Sequence, residues 1–271
     1  MNDLPPAPNP SDAPIDPQPA TPATTSLLAR MTNVVATPSE VFDEIKASPP
    51  ASANWVIPAL LLMAVGWICG WLIMSQDAVR QQVSDIQEKQ YQKLIDQGKM
   101  TRDQLEAQRP MMEKFGRIAQ QVAMAAMPPL TGFALPFWWA LIIWLVGNKA
   151  LKGDFSYMKA VEASGLVSIL LILESVVKTL LIIVLGNMFA GPNLGLFVKG
   201  FDPTNVAHGL LAAVDVLAFW VLAVRAIALS RLSGASFGVS AAWVFGLWVL
   251  ATGGLTAFGY AMQRIFSGGG H

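Results

Sequence analysis

Polar and apolar positions fall in long blocks along this chain, and the block lengths decide its class. Five stretches are nearly free of charge and approach or exceed the roughly 20 residues that a helix needs to cross a bilayer core of about 30 Å. They run over about 55-74, 130-146, 158-188, 206-229 and 238-262. Between the first two lies a charged block, 76-121, that carries two narrow apolar seams. Val79, Val83, Ile86 and then Leu94 or Ile95 form the outgoing seam, and Gly98 breaks that helix. Thr101 with Gln104 predicts a capping box, and Leu105, Met112, Phe115, Ala119 and Val122 form the returning seam. Seam against seam, the block predicts an antiparallel αα-hairpin on the membrane surface.

A different pattern precedes the first span. Leu27, Leu28, Met31, Val34 and Val35 share one side of a helix that Ser26 would cap. Thr37, Pro38 and Glu40 predict a capping box that opens a second helix, with Val41, Phe42 and Ile45 on its apolar face. Both are too short to span, so 26-54 reads as amphipathic juxtamembrane helices, lying along the surface or packed on the end of the bundle. Pro128-Pro129 reads as a break before the second span. The fold class expected is an all-α membrane protein: a bundle of five transmembrane helices over 55-262, with an extramembrane αα-hairpin between the first two spans.

Composition sharpens this. Charged residues make up 13% of the chain, about half the share usual in soluble domains, and hydrophobic ones 54%. Met1 to Thr25 is rich in Pro and Ala and lacks Lys and Arg. It is expected to be a disordered tail and not a signal peptide, and 263-271 a short second tail. A formal net charge of zero gives no reason to expect nucleic acid. Cys69 stands alone, so no intrachain disulfide can form.

Orientation follows from Lys and Arg near the spans. Arg30, Lys46, Lys149, Lys152, Lys159 and Arg231 lie on the amino-terminal side; Lys199 and Arg264 lie opposite, with a hairpin whose eight bases would reverse the rule if counted fully but are nearly matched by seven acids. The expected amino terminus is cytoplasmic, in a bacterial inner membrane.

Charges inside the spans are the candidate chemistry. Glu174 and Lys178 are four residues apart, hence on one helix face, and Asp215 lies in the fourth span. A charge at mid-bilayer costs about 3 kcal/mol on insertion scales. The three are therefore expected to face inward as a polar cluster, either a proton, ion or solute site or an ion pair that fixes packing. Arg225 is expected to snorkel toward headgroups, and Glu162, near the start of its span, to be structural. Ala242, Gly246, Gly253 and Ala257 have small-xxx-small spacing and are read as helix packing, within the bundle in preference to a dimer face. His208 is the one internal histidine, and no HExxH, GxSxG or phosphate-cradling loop occurs. No catalytic residue, metal site or cofactor is expected.

Three segments resemble the prokaryotic branch of the Yip family, five-span proteins named for interaction with Ypt/Rab GTPases. They are Val34-Val35-Ala36-Thr37-Pro38-Ser39-Glu40-Val41-Phe42, Gly153-Asp154-Phe155-Ser156-Tyr157, and Asp215-Val216-Leu217-Ala218-Phe219-Trp220. The resemblance implies a cytosolic amino terminus and a role in membrane organisation or protein interaction without catalysis. The acidic motif of eukaryotic members has no counterpart here, so the resemblance does not extend to GTPase binding. The expected role is a membrane-organising or protein-interaction adaptor; the alternative is a small transporter or channel built on the charged cluster. Expected partners are membrane lipid and an unidentified protein, with no nucleic acid, and a homo-oligomer is left open.

Overall fold

The computed structural model describes residues 25–202 and 205–267. The tail expected at 1-25 and the last four residues lie outside that range, apart from Thr25. Five helices are long and apolar enough to cross a membrane, and no β-strand forms among the described residues. The elements are α1 (Leu27–Ala36), α2 (Pro38–Ala47), α3 (Ala53–Met74), α4 (Asp77–Asp96), α5 (Arg102–Pro129), α6 (Leu135–Leu145), α7 (Tyr157–Leu185), α8 (Val206–Ala213), α9 (Val216–Ser233) and α10 (Phe237–Ser267). The expected all-α bundle with a hairpin between its first two spans is what forms.

Close backbone approach holds the spans together. A Cβ on Gly165 of α7 would lie 2.4 Å from the Cα of Trp55, and one on Gly132 would lie 2.8 Å from the Ala59 carbonyl oxygen. Glycine at these two points lets α3 seat directly against both neighbours.

The expected break at Pro128-Pro129 is not one. The return arm of the hairpin and the second span are a single 49-residue helix, Arg102–Ala150. Pro128, Pro129 and Pro136 each lack the N–H of a helical ladder. A five-residue π segment, Leu130–Ala134, absorbs the mismatch, and the Thr131 hydroxyl donates to the carbonyls of Met127 and Pro128, both at 3.0 Å. A membrane helix has no water to satisfy freed carbonyls, so it widens and continues.

The two amphipathic helices ahead of the first span do not lie apart from the bundle. Val34, Val41, Phe42 and Ile45 are buried in the main core with Leu166, Val167, Leu222 and Leu229. α1 and α2 fold back at Thr37 into a wedge. α2 runs beside α9: Asp43 pairs with Arg231 at 3.3 Å and Lys46 donates to the Arg231 carbonyl at 3.1 Å, while Pro38 and Glu40 border a groove with Phe219 and Ala223. Ser26 caps α1 as expected, by accepting from the Ala29 N–H. The capping box at Thr37 does not form. Thr37 must also end α1, donating its N–H to the Asn33 carbonyl at 2.7 Å, and that turn leaves its hydroxyl out of capping position.

The hairpin forms with its polarity inverted over the stretch nearer the membrane. Its turn is as expected: Gly98 has φ +66°, and the Thr101–Gln104 capping box is complete. Of the returning seam Leu105, near the tip, is buried and Met112 half-buried, but the rest does not turn inward. Val79 is fully buried, but in a small cluster with Ile182 and Ala190 at the end of the third span. Gln82 fixes that junction by donating to the Gly186 carbonyl at 2.6 Å and accepting from the Met188 N–H at 3.1 Å. Between α4 and α5 lies a polar cleft, crossed by Arg109 to Glu88 at 3.0 Å. Phe115, Ala119 and Val122 point outward and are exposed.

Candidate functional site

The fourth span is where the helix pattern yields to chemistry. It begins at Val216, and Val206–Ala213 is a separate short helix. Asp215 is therefore not inside a continuous helix. Its backbone is extended, and its Oδ1 caps α9 by accepting from the N–H groups of Leu217 at 2.9 Å and Ala218 at 3.1 Å. A single antiparallel bridge to Asn193 holds the break open, with Leu194 N–H donating to the Val214 carbonyl and Val216 N–H to that of Pro192, each at 3.1 Å. Capping and bridge together satisfy backbone groups that a broken helix would otherwise bury unpaired.

Lys178 joins this break to the third span. Its Nζ lies 2.5 Å from Glu174 Oε1 and 3.3 Å from Asp215 Oδ2. The structure thus brings Glu174, Lys178 and Asp215 together, one ammonium between two carboxylates. Asp215 is buried, Glu174 and Lys178 partly so. Asn193 Oδ1, at the bridge, is buried without a hydrogen-bond partner. Counted by themselves the three carry one negative charge in excess, which the buried Arg225, within electrostatic reach of Glu174, offsets; the arrangement can exchange a proton or simply lock α9 to α7.

Arg225 does not snorkel. It is buried, with its guanidinium carbon 4.0 Å from the Trp139 ring centroid. A cation over an indole face gains quadrupole attraction without leaving the bundle.

A second polar network sits beneath the wedge, and its assembly was not foreseen from sequence. Arg30 donates to Glu44 Oε1 at 2.7 Å and to Asn54 Oδ1 at 3.2 Å. Asn54 donates to Glu162 Oε2 at 2.6 Å, and Lys159 lies 3.3 Å from Glu162 Oε1 while donating to the Ser48 carbonyl at 2.5 Å. Glu162 is wholly buried. Arg30, the one charge on α1, was the available signal: a charge on a buried face implies a partner.

The small residues of α10 make no close approach. A Cβ on Gly246 or Gly253 would meet nothing within 4 Å, and Ala242 and Ala257 are exposed. Among the described side chains of this helix, the buried ones are Ser240 and Val244. The close helix approach that this spacing predicts does not form at Gly246 or Gly253. His208 stacks on Phe201, and its Nδ1 accepts from the Asp202 N–H at 3.0 Å. No group of three or more His, Cys, Asp or Glu among the described residues could hold a metal ion.

Five apolar helices, one of them started by a buried aspartate at a break, define a multi-pass integral membrane protein. The chain belongs to the Yip1 domain family, whose family model matches residues 32–259. This is not a known enzyme family. No curated protein and no solved structure matches the chain. The match takes in most of the wedge, the hairpin and the spans. The three segments that carried the resemblance now have structural work: the first forms the apex of the wedge and the first half of α2, and the third starts α9. The second forms a tight turn, where a Cβ on Gly153 would lie 2.8 Å from Ser233 Cα.

Proposed function

We propose that this protein is a non-catalytic membrane organiser or adaptor whose contact surface is the outer face of the hairpin. One observation carries the reading: Met111, Phe115 and Ile118 are exposed on α5, while the charged side of that helix is turned toward α4. Apolar side chains displayed in water beside a satisfied polar interior mark an interaction face. The amino terminus is assigned to the cytoplasm of a bacterial cell and the hairpin to the far side, on the basis of the six basic residues around the wedge and the short turns. Photo-crosslinking from Phe115 in the native membrane tests the role. Protein adducts are expected; a hairpin that gives none, and that can be deleted without cost to the cell, removes the reading.

A second reading has its own support. A span broken next to Lys178, Glu174 and Asp215 resembles the discontinuous helices at which transporters bind ions. Flux of protons or small solutes in proteoliposomes, abolished by Asp215→Asn, would establish it, and an impermeable bundle would dismiss it. The adaptor reading is preferred because Lys178 already engages both carboxylates.

A further inference from the structure

The exposed face of α5 has a period. Met111, Phe115, Ile118 and Val122 follow at intervals of four, three and four residues, the spacing of a coiled-coil seam. With Phe115 and Val122 as a positions, Met112 and Ala119 form one flank and Lys114 and Gln121 the other, so a single charge borders the seam. The remaining charges of this stretch, Arg109, Glu113 and Arg117, line the cleft toward α4.

Lipid does not cover the whole stripe. Gln120 Nε2 lies 2.8 Å from Met74 Sδ at the end of α3, which marks where the first span stops. From that level Met111 stands about 13 Å farther along the helix, at 1.5 Å per residue.

We propose that the occupant is a second copy of this chain, the two α5 helices pairing as a short parallel coiled coil. The proposal rests on the outer hairpin face being a contact surface and names what it contacts. Two copies in one bilayer share an orientation, and a two-fold axis along the membrane normal sets the same helix of each side by side and parallel. In that pairing Lys114 of one copy approaches Ala119 of the other, so no like charges meet across the seam. Each copy brings the matching 4-3-4 stripe at the matching height above the membrane.

The test uses the full chain in its native membrane, with Cys69→Ala as background. Single cysteines at Phe115→Cys and Ile118→Cys are compared with Glu113→Cys, on the side toward α4, under oxidant-catalysed disulfide formation. The two seam positions are expected to give a dimer several-fold more abundant than the control. Equal yields, or no dimer from the seam, overturn the proposal. If self-crosslinks fail but a photo-crosslinker at Phe115 captures a different protein, self-association falls and the contact surface stands; if neither adduct forms, both fall. In mild detergent Phe115→Ser should convert dimer to monomer by light scattering with its helical circular dichroism unchanged, and a persisting dimer would count against this seam.

Discussion

The wedge and the hairpin are both amphipathic helix pairs joined by a short turn, yet they are packed in opposite senses. In the wedge, Val34, Phe42 and Ile45 enter the main core, and Arg30 and Glu44 are drawn in with them. In the hairpin, Arg109 and Glu88 face each other across a cleft, and Phe115 is left outside. The lesson is that an apolar stripe demands cover without naming it. The polar residues decide: Arg30 finds Asn54 at the start of the first span, whereas hairpin charges find one another.

The comparison can be broken at its steepest point first. Gly165→Leu should separate α3 from α7, because the new side chain would start 2.4 Å from the Trp55 backbone; loss of folded protein on size exclusion is the readout. The two phenylalanines provide a matched pair. Phe42→Ala is expected to cost about 3–5 kcal/mol, as truncation of a fully buried ring does. Phe115→Ala, studied in the monomer, should stay within about 0.5 kcal/mol. Equal losses in reversible unfolding would erase the distinction between the two regions.

Removing Arg30 should cost about 1–3 kcal/mol, since Arg30→Ala takes the ion pair from Glu44 and the only donor from Asn54 Oδ1, while Glu44 keeps the Thr25 N–H and Asn54 keeps Glu162. Acid should act on the same joint more gently. Burial opposes ionisation of Glu44, but the Arg30 guanidinium and Thr25 outweigh it and hold the carboxyl below its ordinary value of 4.5. A carboxyl whose pKa falls on folding contributes stability that is complete above the unfolded value and lost as pH drops through the folded one. Protease cleavage near Thr37 is therefore expected to rise below pH 4.5, and Glu44→Gln should flatten that response. The smallest effect belongs to the hairpin cleft: Arg109→Ala should leave the melting temperature unchanged, because its ion pairs are exposed and screened.

Much of the fold was legible from local signals. Ser26 as a cap, the Thr101–Gln104 box and Gly98 at the hairpin tip depend on residues within a turn of one another, so nearby sequence suffices. The Thr37 capping box failed because that residue serves two helices, a conflict that neither helix alone reveals. Glu174 and Lys178 were readable as a pair from their spacing. The position of Asp215 as a helix cap was not, because Asn193, more than twenty residues away, holds the break open.

Hydropathy and length alone determined that this chain is a five-span helical membrane protein, since the thickness of a bilayer sets how long an apolar helix must be. Tertiary structure alone decided which faces meet. It turned Pro128-Pro129 into a widened helix, placed Arg225 over Trp139 in place of a headgroup, and left the α10 glycines bare. The reason is common to all three: a side chain's partners are fixed by what other helices place within a few ångströms, and periodicity along one helix contains no record of them.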